Sequence, residues 1–439
     1  LKKRRRPDNN GYIVILVFAS MLLALVHSCV PARKGAVVGN DPVPGAIKVM
    51  KGQVPTAQFH TGASNTEAYF ELIDGKDIGI VTNQTGIVDY DSVFRMTDSV
   101  SMKNREMRIR KQIHLVDFLV TKSHQKLKKI YAPEHGFRGT ADDGEDIKDG
   151  KDTKTGIPII SIYGDNKKPS ADQLKGIDVM LFDLQDVGTR FYTYISTLHY
   201  VMEACAENKI PLIVLDRPNP NGSVVDGPTL EKQYSSFVGM HPIPVLHGLT
   251  IGEYARMING EKWLKNGIQC DLTVIPCLNY NRQMTYHLPV RPSPNLPNDR
   301  AINLYPSLCF FEGTNVSIGR GTEKQFQVYG SPNLPEMHFE FTPKPNFGSK
   351  NPPLNGKICC GEDLSFETRH AGIELKWLLK AYQDFTDKPK FFISYFTKLA
   401  GSPTLQRQIE SGMSEAEIRQ SWKPGIDEFK KIRKPYEIY

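Results

Sequence analysis

Cysteine is scarce in this chain, and several motifs that would settle a chemistry at once are missing. Seven Cys stand among 439 residues. None has the spacing of a zinc site, and no disulfide pairing can be assigned from Cys270, Cys277 or the adjacent Cys359-Cys360. There is no G-x-S-x-G elbow, no H-E-x-x-H and no Walker loop, so serine hydrolase, zincin and NTPase readings have no motif behind them. Gly319 and Gly321 lack the third glycine and the opening helix of a dinucleotide loop. The acidic run Asp142-Asp143-Gly144-Glu145-Asp146 and Asp149 to Asp152 lacks the ligand order of a calcium loop, and reads as a mobile lid or rim. Neither a metal nor a cofactor is expected.

Long apolar runs are missing too. The longest, Tyr12 to Val26, is short for a membrane span. It follows Lys2, Lys3, Arg4, Arg5 and Arg6 and ends at His27-Ser28-Cys29, the layout of an export signal. Ser28-Cys29 resembles a lipoprotein cleavage box with Cys29 as the lipidated residue; an uncleaved anchor is the alternative. Either way the basic flank stays inside and the rest lies outside the cytoplasm. The expectation is a lipid-anchored protein of the periplasm or outer membrane of a Gram-negative bacterium. Residues 1–28 carry five Lys/Arg and one Asp, more than half of the formal net charge of +7. The basic balance therefore implies no nucleic-acid partner.

What is present is an ordinary globular composition, 40% hydrophobic and 23% charged, and a length that suits roughly two to three domains. Residues 29–64 are rich in Pro and Gly and read as a flexible tether. Structure is expected to begin near Glu67. Apolar strands are expected at Asp77–Thr82, Leu127–Tyr131, Pro158–Tyr163, Asp178–Asp183 and Pro211–Leu215, with helices between them, including Tyr192–Glu207. Nearly continuous apolar strands alternating with helices mean a parallel sheet covered on both faces. Residues 90–111 are charged and read as an irregular surface excursion. The sheet domain is placed at 65–335 and a smaller C-terminal part at 336–439.

In such sheets ligands bind at the carboxyl ends of the strands. Four exits carry Asn83/Gln84, Glu134/His135, Asp183/Asp186/Arg190 and Asp216/Arg217. Glu134 and His135 sit in Tyr131-Ala132-Pro133-Glu134-His135-Gly136-Phe137-Arg138-Gly139, a loop stopped by Pro and Gly. A carboxylate beside an imidazole there suits acid/base work, although a solvated turn has the same composition. Asp186 is a further catalytic candidate. Carboxylates, amides, arginines and aromatics (Tyr192, Tyr194, Phe310, Phe311) around one edge match the needs of a sugar. A glycosidase needs one carboxyl to protonate the leaving oxygen, and either a second carboxylate or the substrate's acetamide.

Val81-Thr82-Asn83-Gln84-Thr85-Gly86, the Pro133–Gly139 loop, Asp183 to Tyr194, Asp216 to Gly222 and Glu312 to Glu323 together resemble the NamZ family of exo-β-N-acetylmuramidases, glycoside hydrolase family 171. The resemblance runs from about residue 65 to the C-terminus. It implies a Rossmann-like α/β catalytic domain, a smaller α+β C-terminal domain and an active-site cleft between them. It implies release of terminal β-1,4-linked N-acetylmuramic acid from peptidoglycan fragments, with muropeptides and disaccharides as partners, and it places the catalytic glutamate at Glu134. Substrate contacts are expected from Asn83, Gln84, Asp183, Arg190, Tyr192, Arg217, Glu312, Arg320 and Glu323. Arg320 and Arg190 rank level as selectors of the lactyl carboxylate; Arg217 suits an internal ion pair better. A non-catalytic muropeptide-binding lipoprotein and a metal-dependent amidase or esterase are the competing readings.

Overall fold

The computed structural model describes residues 48–49, 59–97, 104–139, 148–335 and 339–439; the signal segment, Cys29 and the acidic run 142–146 lie outside them. The strands, in chain order, are β1 (Lys48–Val49), β2 (Ile78–Thr82), β3 (Ile87–Thr97), β4 (Asn104–His114), β5 (Leu127–Ala132), β6 (Gly150–Lys151), β7 (Pro158–Ser161), β8 (Val179–Asp183), β9 (Leu212–Leu215), β10 (Asp226–Thr229), β11 (Pro244–Leu246), β12 (Leu272–Ile275), β13 (Val328–Ser331), β14 (Phe339–Phe341) and β15 (Cys359–Asp363). The central sheet runs β1-β12-β9-β8-β2-β5-β7-β6. All its pairings are parallel except β6 with β7.

Apolar sequence dictates this arrangement. Every residue of β2, β8 and β9 is buried, and successive side chains feed opposite faces. Met180 and Phe182 of β8 join one core with the helix Tyr194–Asn208, whereas Val179 and Leu181 join the other with the helix Leu115–Thr121. Leaving aside β1 and β6, the order across the sheet is the third, second, first, fourth, fifth and sixth strand of the chain. That is the doubly wound Rossmann order, and the direction of winding reverses between β2 and β8.

The charged stretch read as irregular is instead a two-stranded ribbon, β3 against β4, in unbroken antiparallel register from Ile87↔His114 to Thr97↔Asn104. Charged residues along both strands break the apolar alternation that marks a strand in sequence. Its root is anchored by the pair Val88↔Ile113, both packed in the second core. The stretch read as a tether also enters the fold. β1 pairs with β12, His60 exchanges backbone hydrogen bonds with Leu278, and the Gly62 amide donates to the Asp216 carbonyl at 2.8 Å.

The C-terminal part pairs β13-β15-β14 with the helices Lys376–Asp384, Phe396–Ala400, Thr404–Glu410 and Glu415–Arg433. Its last helix lies on β10, where Arg419 meets Asp226 at 2.8 Å. The chain then returns to the sheet edge, where the Tyr439 hydroxyl donates to the Asp216 carboxylate at 2.8 Å.

A chain beginning at residue 65 loses β1 and the His60 and Gly62 bonds. It should unfold more easily than one beginning at residue 45, by about 2–4 kcal/mol for a few backbone bonds of ~1 kcal/mol each. Denaturant melts compare the two, and coincident midpoints would mean that residues 45–64 contribute nothing to the fold.

Candidate active site

Pro133 ends β5, and the Gly136 amide closes a turn on the Pro133 carbonyl. His135 within that turn has φ 70°, a left-handed conformation that costs a non-glycine residue energy and is found disproportionately at functional sites. The turn presents Glu134 and His135, 6% and 4% exposed, to a cavity of about 240 Å³ also lined by Tyr163, Tyr192, Thr193, Asn295, Tyr305, Glu312 and Arg320.

Two hydroxyls fix the Glu134 carboxyl. Tyr163, just past β7, donates to Oε1 at 2.6 Å, and Thr193 donates to Oε2 at 2.5 Å. Thr193 is the residue that starts the helix Tyr194–Asn208. The acid is thus held from two separate elements of the sheet domain.

The opposite wall comes from the chain after residue 300. The helix Asp299–Leu308 runs into a 3-10 turn, Cys309–Gly313, which carries Glu312. Arg320 stands between Gly319 and Gly321, at φ 80° and 79°. A Cβ on Gly319 would meet the Lys324 carbonyl at 2.6 Å and one on Gly321 the Lys344 carbonyl at 2.6 Å, so only glycine permits this close turn. Arg320 reaches Oε1 of Glu312 through Nε and Nη2, each at 2.6 Å, and its guanidinium lies 5.2 Å from the Phe326 ring centroid. Beyond this ion pair opens a second cavity of about 610 Å³, which shares Glu312, Arg320 and Tyr395 with the first.

Of the expected site residues, Glu134, His135, Tyr192, Glu312 and Arg320 therefore line one cavity. The others do not. Asn83 takes the Thr85 amide and hydroxyl on its Oδ1 and donates to the Tyr194 hydroxyl at 2.5 Å, locking the β2 exit. Gln84 donates to the carbonyls of Arg291 and Pro292; Tyr192 adds a bond to Pro292 at 2.8 Å. Together they seat the loop that brings Ser293 and Asn295 to the cavity. Asp183 and Arg217 form a buried bidentate ion pair, 2.6 and 3.0 Å. Glu323 is exposed and lines neither cavity.

Two corrections are sharper. Arg190 cannot meet a substrate carboxylate, because its guanidinium is wholly buried and donates to the carbonyls of Pro228, Ile243 and Leu399 at 2.7–2.8 Å. Burial without a carboxylate partner lowers its pKa to about 9, so it stays charged at neutral pH. Asp186 is also sealed away, with Oδ2 taking the Gly188 amide at 2.6 Å. Burial drives its pKa up to about 7 against the backbone bonds from Gly188 and Val187. His247 Nε2 stands 3.8 Å from it and is itself pushed down to about 3, first by burial and then by Arg433 and Arg282. Asp186 thus faces a buried neutral imidazole and lines neither cavity.

Tyr163, Thr193 and Tyr395 were missed. Tyr163 follows the β7 exit and Thr193 occupies a helix start, so the strand-exit rule and the capping preference of Thr could have found both. Nothing in the local sequence marks Tyr395.

Asp186 gives a pH signature. Its folded pKa lies above its unfolded one, so its contribution is complete below about pH 4 and is lost as pH rises through about 7. Asp186→Asn removes this titration. The fall in melting temperature from pH 4.5 to pH 8 should be smaller in the variant than in the wild type; parallel falls would show that Asp186 does not titrate in this range.

Residues 78–300 match the family described as "Exo-beta-N-acetylmuramidase NamZ, N-terminal" and residues 303–439 its C-terminal counterpart. The "Peptidoglycan beta-N-acetylmuramidase NamZ" of Bacillus subtilis (strain 168) is 39% identical over 395 residues, covering 84% of this chain and 89% of that protein. A crystal structure of a DUF1343 family protein from Bacteroides fragilis NCTC 9343 is 44% identical and covers 87% of this chain and 99% of its own, with a TM-score of 0.76. A second from the same organism is 27% identical, covers 88% and 100%, and has a TM-score of 0.69. On a Rossmann-type sheet edge that presents Glu134 at the mouth of a sugar-sized cavity, and with both halves of the sequence matched, the chain belongs to the NamZ family of exo-β-N-acetylmuramidases.

Proposed function

We propose that the protein is a glycoside hydrolase that removes terminal β-1,4-linked N-acetylmuramic acid from the non-reducing ends of peptidoglycan fragments, with Glu134 as the general acid. The observation that carries this reading is the Glu134 carboxyl held by the Tyr163 and Thr193 hydroxyls on the wall of a cavity that Glu312 and Arg320 also line. As the C1–O bond breaks, the glycosidic oxygen takes the Glu134 proton and leaves as a hydroxyl; water supplies the new oxygen at C1, and the proton it loses restores the Glu134 carboxyl, directly or through the second group. Among the described residues Glu312 is the other carboxylate that lines this cavity, and it replaces Asp186 as the candidate second group. The substrate's own acetamide is the other source of assistance.

Glu134→Gln keeps the shape but has no proton to give. Turnover of a chromogenic aryl β-N-acetylmuraminide should fall roughly 10²–10⁴-fold with an unchanged melting profile. Wild-type rates would remove Glu134 from the mechanism.

Arg320 is our candidate for recognising the lactyl carboxylate, since a planar guanidinium suits that group and Arg190 is committed to backbone carbonyls. Arg320→Ala should cost roughly 2–5 kcal/mol of muraminide binding and lower the ratio of muraminide to glucosaminide cleavage. Equal losses on both substrates would show that Arg320 does not select. We also propose export and lipid anchoring through Cys29, supported by the basic, apolar and Ser-Cys order of residues 2–29. If Cys29→Ser leaves membrane association unchanged, the lipid anchor is refuted.

A further inference from the structure

The small cavity and the larger one meet at Glu312, Arg320 and Tyr395, and the activity proposed above uses only the first. The two differ in what closes them. The small cavity has Phe191, Tyr305, Phe326 and Leu399 in its lining, all 7% exposed or less, so it is closed on the side they form. The larger cavity, about 610 Å³, ends at Lys350, Asn351 and Pro353, all exposed. An acid that protonates a glycosidic oxygen must have one sugar on either side of that oxygen. With a blind end on one side, the remainder of the substrate has to leave through the open side.

From this we infer that the larger cavity is the binding site for the leaving part of the substrate, an N-acetylhexosamine and the glycan continuing from it. Its chemistry fits a sugar rather than an apolar ligand. Ser349, Lys350 and Asn351 supply a hydroxyl, an ammonium and an amide, which suit sugar hydroxyls and an acetamide. The Tyr395 ring stands at the junction, where a pyranose face would pass. The path continues outward along the same segment: Phe347, next to Gly348 of the lining, is 55% exposed, with the Arg291 guanidinium 5.9 Å from its centroid. Its exposed ring offers a face on which a further pyranose can stack where the path leaves the cavity.

The inference rests on the proposed activity, and two substrates separate the two claims. The first is an aryl β-N-acetylmuraminide, whose leaving group is too small to fill the larger cavity. The second is the disaccharide of N-acetylmuramic acid β-1,4-linked to N-acetylglucosamine, whose leaving sugar would. In the Lys350→Ala/Asn351→Ala double variant, the ratio of kcat/KM for the disaccharide to that for the aryl compound should fall about tenfold, the loss expected for one or two hydrogen bonds to the ligand. The loss should appear chiefly in KM. Both side chains are exposed, so a melting profile like the wild type's is expected and would confirm folding. An unchanged ratio overturns the inference, whether both substrates lose equally or neither loses. If the wild-type protein cleaves neither substrate, the activity reading fails and this inference fails with it; if it cleaves both and only the ratio stays fixed, the activity stands and the leaving-group site lies elsewhere.

Discussion

The Asp183–Arg217 ion pair is the contact on which the sheet edge depends. Both side chains are almost wholly buried, 0% and 2% exposed, where an unpaired charge would be very costly. Asp183 is the last residue of β8, and Arg217 follows β9. Arg217 also donates to the Ile87 carbonyl, beyond the β2 exit. One fork thus ties three neighbouring strand exits across the point where the winding reverses. Removing either partner would leave the other charged and buried, so the pair specifies geometry even if an apolar pair of equal volume would be as stable.

Asp216, beside Arg217, does similar work for the next exit. Its carboxyl takes the Gly252 amide, the Thr250 hydroxyl and the Tyr439 hydroxyl at 2.8 Å each. Burial, with Glu253 nearby, raises its pKa to about 7 against those bonds. The bonds join β9, the helix Ile251–Gly260 and the end of the chain. Four strand exits are therefore full of polar groups, but most of them are spent on one another. Among the described residues of these exits, Glu134 at the β5 exit is the carboxylate that lines the cavity, supported from the β7 exit and from the helix that follows β8. A site held by rigid elements in this way keeps its geometry better than one built on loops alone.

This division explains which parts of the molecule were legible in the sequence. The parallel sheet was legible because β2, β8 and β9 are buried on both faces and so are nearly all apolar. Glu134 was legible because a Pro- and Gly-bounded strand exit announces a fixed loop. The fate of Arg190 was not: its neighbours Tyr192 and Tyr194 suggested a cleft, whereas its three acceptors come from Pro228, Ile243 and Leu399, far away in sequence. The ribbon of β3 and β4 was hidden for the opposite reason. Its charged residues break the apolar pattern that identifies strands, and only the pairing register reveals it. Asp186 reads in the sequence as a catalytic candidate and Glu312 as a substrate contact, and only the packing separates them by place: Asp186 is buried on the Gly188 amide, and Glu312 lines the cavity.

The Glu312–Arg320 pair has a different character from the buried pair at the sheet edge. Its side chains are 21% and 11% exposed, enough to be solvated on one side, so its attraction is weaker and less exacting. It also stands where the two cavities meet rather than behind a strand exit. Arg320 Nε and Nη2 both reach Oε1 of Glu312, and Oε2 takes the Cys309 thiol at 3.4 Å. A substrate carboxylate arriving here would be drawn to the guanidinium and repelled by Glu312, whereas the hydroxyls of a neutral sugar can hydrogen-bond to either group. The charged pair stands at the junction of the two cavities, whereas the rigid edge behind sets where Glu134 itself stands.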